Sequence, residues 1–237
     1  MDIPGPGQIN LTASLRDSLK RMGSRDRSHV RELYEYWSGE CRASVTKDPA
    51  SVAYSLHIPI DEQVHALLTT HPKAPEVKCH RGCAGCCHLN VDVTPHEAAL
   101  LRYAAARHDI AIDEDRLDRQ AATDGDLDKW RKLDPADRAC IFLAPDRSCA
   151  VYEYRPAACR KYLVITEPEL CDSFKYPGGA VGILFSVEAE VIQTAAMTVF
   201  GAENMARALV AVRPATTTPP TPEKTPAEAP GASRVDS

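Results

Sequence analysis

Apolar residues recur at helical spacing near the N-terminus. Four of them stand at positions i, i+3, i+4 and i+7, which places one apolar stripe along a helix: Val30, Leu33, Tyr34 and Trp37. A shorter helix is expected to begin at Asp61, where three apolar residues again share a face: Val64, Leu67 and Leu68. The region 1–75 is therefore predicted to be helical.

The clearest helix start is the run Thr94-Pro95-His96-Glu97. Thr94 can cap the helix, Pro95 suits the first helical position, and Glu97 completes a capping box. The residues just before this run alternate as in a short strand: Leu89, Val91 and Val93. The charged segment 113–138 that follows is predicted to be helical in pieces.

Two short runs around a turn predict a β-hairpin. Residues 140–144 and 149–152 are its expected strands, and residues 145–148 are its turn. Pro156 suits the first turn of a helix that carries Cys159 and Arg160. A long helix is then expected over 186–212, with Gly201 as a soft point, because apolar residues recur there every three or four positions.

Composition and charge limit the classes of function. The 237 residues include 28 Lys and Arg against 33 Asp and Glu, and the net charge of −5 argues against a generally basic nucleic-acid-binding protein. Neither a secretory leader nor a stretch of about 20 apolar residues is evident, so we expect a cytoplasmic protein that does not bind a membrane. Clustered cysteines in a reducing compartment indicate metal ligands rather than disulfides.

Eight of the nine cysteines fall between residues 79 and 171. The first group is Cys79-His-Arg-Gly-Cys83-Ala-Gly-Cys86-Cys87-His88, where glycines permit the tight turns that aim four thiols at one centre. The second group is spread along the chain and must converge by folding: Cys140, Cys149, Cys159 and Cys171. Cys41 is expected to be an ordinary buried thiol.

The chemistry of thiolates narrows the choice of metal. Thiolates select zinc, copper(I) or iron–sulfur clusters over magnesium and calcium. Eight thiols would fill two four-cysteine sites, or hold one cluster with cysteines to spare. His80 and His88 are expected to support the site rather than bind the metal. Arg155 and Arg160, which flank the helix of Cys159, either balance thiolate charge or grip an anion, or else form structural ion pairs.

The order of these motifs resembles the CxxCxxCC cysteine-cluster family. The resemblance covers about residues 76–175 and comprises Cys79-x3-Cys83-x2-Cys86-Cys87, the segment from Val91 to Leu101, Cys140-Ile-Phe-Leu, and the segment from Cys149 to Arg160. That family is described as a zinc- or iron-chelating domain. The resemblance implies a set of metal ligands: Cys79, Cys83, Cys86, Cys87, Cys140, Cys149 and Cys159, with Cys171 as a trailing member.

The same family includes flagellin lysine N-methylases, which implies an alternative function. The protein would then be an enzyme that modifies a protein substrate and uses S-adenosylmethionine. The first three cysteines also have the spacing of the radical S-adenosylmethionine loop, but Gly85 stands where that family favours an aromatic residue. A third hypothesis is a metal-stabilised interaction module that presents the C-terminal helix and tail to a protein partner.

Together these patterns predict an α+β protein. It is mostly helical, with a small cysteine-rich metal-binding core, a short β-hairpin and a disordered C-terminal tail that is rich in proline. Four regions are expected: a helical region 1–75, a cysteine-cluster domain 76–175, a C-terminal helix 176–212 and the tail 213–237. The leading hypothesis is a protein that chelates zinc or iron, the iron either as ions or as an iron–sulfur cluster.

Overall fold

In the computed structural model, which describes residues 13–214, helices dominate and two small antiparallel sheets join distant segments. The helices are α1 Ala13–Arg21, α2 Ser24–Ser44, α3 Pro49–Thr70, α4 Pro95–Arg107, α5 Glu114–Ala121, α6 Leu127–Lys132, α7 Pro135–Arg138, α8 Ala157–Arg160, α9 Val187–Phe200 and α10 Met205–Ala211. This confirms the predicted fold class, although all but the start of the predicted tail lies outside the described residues. None of the helices within 13–214 combines the length and apolar character needed to cross a membrane.

The strands are two residues long and pair across long stretches of sequence. They are β1 Asp92–Val93, β2 Leu163–Val164, β3 Ile183–Leu184 and β4 Glu203–Asn204. β1 pairs with β4, with Val93 opposite Glu203, and β2 pairs with β3, with Leu163 opposite Leu184. The alternation at 89–93 therefore marks a strand only at its end, and the partner of that strand comes from the C-terminal part of the chain.

The predicted hairpin over 140–152 does not form two strands. A single bridge between Leu143 and Cys149 is the β pairing found in this segment, and a 3-10 turn follows at Tyr152–Tyr154. The reason is that the chain turns within both expected strands: the N–H of Leu143 donates to the carbonyl of Cys140 (2.9 Å), and the N–H of Tyr154 donates to the carbonyl of Val151 (2.8 Å).

The predicted helix 186–212 is broken in two. α9 ends at Phe200, and Gly201 takes a φ of 82°, a left-handed conformation that suits glycine. Asn204 then begins α10, because its side-chain oxygen accepts from the N–H of Ala206 (2.9 Å). The helix expected from Asp61 is likewise the second half of α3, which begins at Pro49.

The N-terminal helices pack on the cysteine-rich part of the chain. α2 lies against α9, and α3 lies against both α4 and α9. The apolar stripe predicted on α2 is confirmed, since its residues pack with Val191 of α9 in one of three apolar clusters. The largest cluster contains Leu101, Leu117, Phe142 and Leu209. Residues outside the cysteine window therefore cover one side of it.

One buried carboxylate joins three of these helices. The capping box is present as predicted, with Oε2 of Glu97 accepting from the N–H of Thr94 (2.9 Å). The other oxygen, Oε1, accepts from the N–H of Ala157 at the start of α8 (2.7 Å) and lies 3.5 Å from Nε2 of His57 on α3. Glu97 is only 6% exposed, so these partners replace water.

The environment of Glu97 favours its charged form. Burial raises the pKa of this carboxyl. The hydrogen bond and charge of His57 and the N–H groups of Thr94 and Ala157 lower it by a larger amount, so the pKa lies below the ordinary value of 4.5. Because the folded pKa is depressed, the stabilisation is complete above pH 4.5 and is lost as the pH falls through the folded pKa.

Replacing Glu97 by Gln should destabilise the protein at neutral pH by about 1–3 kcal/mol. An amide oxygen is a weaker acceptor than a carboxylate oxygen, and the amide NH2 group would face an N–H group with which it cannot form a hydrogen bond. Urea unfolding followed by circular dichroism measures this difference. On acidification the gap between wild type and E97Q should narrow, since the wild-type carboxylate becomes protonated. The matched control is Glu62→Gln on the exposed side of α3, for which no loss is expected. A gap that stays constant down to the lowest pH would contradict this account.

Candidate metal centre

The two cysteine groups meet at one cavity of about 470 Å³. Six of the eight predicted thiols line it: Cys83, Cys86, Cys87, Cys140, Cys149 and Cys159. Each of these residues is partly exposed, so the cavity can be reached from solvent. The spread-out second group therefore lies beside the compact first group, although the sequence spacing does not specify where its members go.

Backbone turns aim the first group at the cavity. Gly82 and Ala84 have positive φ values of 86° and 50°, and a 3-10 turn, Gly85–His88, follows directly. Gly85 is packed so tightly that an added Cβ would lie 2.6 Å from the carbonyl oxygen of Pro168. This close approach fixes Cys86 and Cys87 next to the turn Pro168–Cys171.

Separate anchors bring in the second group. The N–H of Cys140 donates to the carbonyl of Cys87, and Cys149 is held by its bridge to Leu143. Cys159 belongs to the short helix α8, whose N-cap Pro156 offers no side-chain cap. Glu97 supplies the missing acceptor to the N–H of Ala157 from a distant part of the chain. Cys140 and Cys159 thus depend on long-range contacts, whereas Cys149 is held within its own loop.

The two remaining predicted ligands lie at the edge of the site and do not line the cavity. Cys79 is exposed, and its sulfur accepts from the N–H of Val164 (3.2 Å). Cys171 is buried, and burial raises the pKa of its thiol to about 11, with further increases from the charges of Cys86, Cys79 and Cys83. Both edge cysteines are thus close enough to Cys83 and Cys86 to interact electrostatically with them.

Without a metal, burial opposes ionisation of the thiols. Burial raises the pKa of Cys140 to about 12 and that of Cys159 to about 12, and neighbouring thiols add to both increases. The pKa of Cys86 is raised by its hydrogen bond to Cys87 and by burial. A bound metal must displace these protons, so its binding is expected to be pH-dependent.

The two arginines that flank Cys159 differ in their contacts. Arg160 is buried and structural, since its guanidinium donates to Asp61 Oδ2 (2.5 Å) and to the carbonyls of Arg155 (2.7 Å) and Glu153. Arg155 lines the cavity, with its guanidinium carbon 3.6 Å from the centroid of the Tyr152 ring. Its charge counteracts the increases in pKa of several thiols, including Cys86 and Cys159. Of the two open interpretations, Arg160 fits the ion pair and Arg155 fits charge balance.

The histidines next to the first group have different positions. His80 lines the cavity, and its Nδ1 lies 2.8 Å from the carbonyl oxygen of Arg81. His88 does not line the cavity, and burial lowers its pKa. Its carbonyl accepts from the indole N–H of Trp130 (3.1 Å), which fixes the end of the cysteine turn. Cys41 lies on α2, is buried and does not line the cavity.

Sequence reasoning missed the buried Lys161–Glu190 pair beside the site. Lys161 lines the cavity, and its Nζ lies 2.5 Å from Oε1 of Glu190 on α9. The adjacency of Lys161 to Arg160 and Cys159 gave no sign of a partner on α9. The pair ties the strand-side end of α8 to α9 and keeps one cation at the wall of the cavity.

The donor set suits a soft metal, but its side chains are not gathered as the ligands of one ion. Within residues 13–214, no three His, Cys, Asp or Glu side chains are arranged as the ligands of a single ion. Six thiols nevertheless share one cavity, and thiolates favour zinc and iron–sulfur clusters. The residues therefore fit such a centre by their chemistry, with the thiols distributed around a space rather than gathered at a point.

Replacing Cys86 by Ser should remove most of the bound metal, because Cys86 lies among the thiols of both groups. Metal content after gel filtration, measured by elemental analysis, tests this. Cys41→Ser is the matched control and should retain the metal. Loss of metal from C41S to the same degree would show that the effect comes from folding and not from a ligand.

Replacing Gly85 by Ala should destabilise the cysteine turn by about 1–3 kcal/mol, because the added methyl group has no room next to Pro168. Gly39→Ala provides the matched control, since nothing lies within 4 Å of its added Cβ and alanine is the better helix former by about 0.5–1 kcal/mol. Thermal unfolding should therefore shift in opposite directions in the two variants. Equal shifts would disagree with the packing described here.

Comparison with known proteins agrees with the resemblance drawn from the sequence. No curated protein and no solved structure matches the chain. Residues 78–175 match a family model, that of the CxxCxxCC domain, which is described as a putative zinc- or iron-chelating domain.

Proposed function

We propose that this protein binds iron as an iron–sulfur cluster in the shared cysteine cavity. The observation that carries the proposal is the spread of six thiols around one cavity of about 470 Å³. A single zinc ion bonds its sulfurs at about 2.3 Å and draws them together. A cluster separates its cysteine ligands with its own iron and sulfide atoms, so it suits thiols that surround a space.

The charge around the cavity supports a thiolate-rich centre. Cysteine ligands bring negative charge, and the Arg155 guanidinium faces the thiols from the helix side. Arg147 lies on the opposite loop, where its Nη2 donates to the carbonyl of Cys83 (3.1 Å). The charge of Arg155 stabilises thiolates, which burial alone would disfavour. When bound, a cluster of this kind can carry electrons, while the protein's own residues hold it and limit access of water.

A pair of zinc ions is the second candidate. The electrostatic neighbours of Cys171 are Cys79, Cys83 and Cys86, which makes one set of four thiols on the edge side. The other four cysteines are Cys87, Cys140, Cys149 and Cys159, and Cys83 and Cys86 of the first set line the cavity together with them. Two tetrahedral four-cysteine zinc sites need a division of the eight thiols into two sets of four, and this is one such division. The two candidates differ in colour, in sulfide content and in the number of metal ions.

Anaerobic purification followed by metal and sulfide analysis distinguishes these candidates. An iron–sulfur protein should be brown, absorb light at about 400 nm and contain acid-labile sulfide together with iron. The matched pair C86S and C41S should then be colourless and brown, respectively. A colourless wild-type protein with stoichiometric zinc and no sulfide would reject the cluster and favour the zinc pair.

A further inference from the structure

The cavity is larger than a metal centre needs. A metal ion and the shell out to its sulfurs, at about 2.3 Å, fill on the order of 50 Å³. Even four such ions leave more than half of the 470 Å³ free. The remaining space corresponds to roughly nine water-sized groups at about 30 Å³ each. This is room for a small organic molecule beside the thiols.

The walls of this space are mostly apolar. Leu101, Phe142 and Val151 belong to the main core and are almost fully buried, yet they also line the cavity. Met197 of α9 and Met205 of α10 line it as well. Methionine side chains adapt to irregular ligands. An apolar molecular body would therefore be favoured here over a chain of waters.

The polar part of the lining is positively charged, although the chain as a whole has a net charge of −5. The cavity is lined by four permanent cations and one carboxylate: Arg81, Arg147, Arg155 and Lys161, with Asp92. Lys161 is paired with Glu190, and Arg81 lies 3.6 Å from Asp146. Apart from the thiols, the charged side chains of the lining are therefore complementary to an anion.

Arg155 is the cation best placed to hold that anion. Its Nε donates to the carbonyl of Tyr152 (3.1 Å), and the Tyr152 ring supports the plane of the guanidinium. Among the described residues, Arg155 has no carboxylate partner and its two terminal nitrogens make no hydrogen bond. A guanidinium held in this way offers two parallel donors, the arrangement that binds a carboxylate through both oxygens.

From these observations we propose that the cavity binds a small organic anion with an apolar body, whose carboxylate is held by Arg155. The apolar body lies against the methionine and core side chains, next to the thiols. This goes beyond the proposed metal centre, because the contacts with the anion are made by residues that are not metal ligands. The two proposals can therefore fail independently.

The test is calorimetry on the full-length protein, as purified, with three probes. Benzoate has both the charge and the apolar ring, benzamide lacks the charge, and acetate lacks the ring. Benzoate should bind, and benzamide and acetate should bind at least about tenfold more weakly. Metal content is measured on the same samples, so loss of the metal and loss of the anion site are seen separately.

Variants at Arg155 locate the carboxylate. R155Q should weaken the binding of benzoate at least about tenfold and leave the binding of benzamide unchanged. R155K keeps the charge but loses the two parallel donors, so its affinity for benzoate should lie between those of the wild type and R155Q. The matched control is R131Q, which removes an exposed arginine that does not line the cavity. M205W should weaken the binding of benzoate and of benzamide alike, because the larger side chain fills the apolar part of the cavity.

Three results would overturn the proposal. They are no benzoate binding up to about 10 mM, equal binding of benzoate and benzamide, or equal loss in R155Q and R131Q. If Arg155 serves only to balance thiolate charge, R155Q will change metal retention while benzoate fails to bind to the wild type, which also overturns it.

Discussion

The structure depends on how the carboxylate of Glu97 is satisfied in the interior. A buried charge is tolerated only when it is fully hydrogen-bonded, and Glu97 meets that requirement with donors from three elements. The same contacts cap α8, which has no cap of its own, and so determine where Cys159 lies. The cost of burying one charge is therefore offset by these hydrogen bonds, which also connect helices far apart in sequence.

The region matched by the family does not build the site alone. His57 and Asp61 of α3 hold Glu97 and Arg160, and Glu190 of α9 holds Lys161. These contacts come from both sides of residues 78–175. A centre with thiols on several loops needs such external support, because these loops have little core of their own.

The sequence predicted correctly those features that depend on interactions between residues close together in the chain. The capping box at Thr94 and the stripe of α2 could be predicted because both follow from spacing within one or two turns of helix. The first cysteine group could be recognised for the same reason. The sequence marks Gly201 only as a soft point, and the full break there depends on the φ of Gly201 and the cap by Asn204. The pairing of β1 with β4 could not be predicted, since the two strands are more than a hundred residues apart. Nor does sequence distinguish Arg155, which lines the cavity, from Arg160, which is buried and paired with Asp61 on a distant helix.

The pairing of β1 with β4 has a consequence for the order in which the protein can mature. The N–H of Met205 donates to the carbonyl of Val91 (2.8 Å), so the C-terminal segment supplies the wall opposite the first cysteine turn. On the ribosome, Cys87 is made more than a hundred residues before Met205. At about 5–20 residues per second, synthesis of the chain from Cys87 to Met205 takes on the order of ten seconds, during which the cavity around the first four thiols is incomplete. A centre that needs the complete cavity would therefore form only after the C-terminal segment has been made.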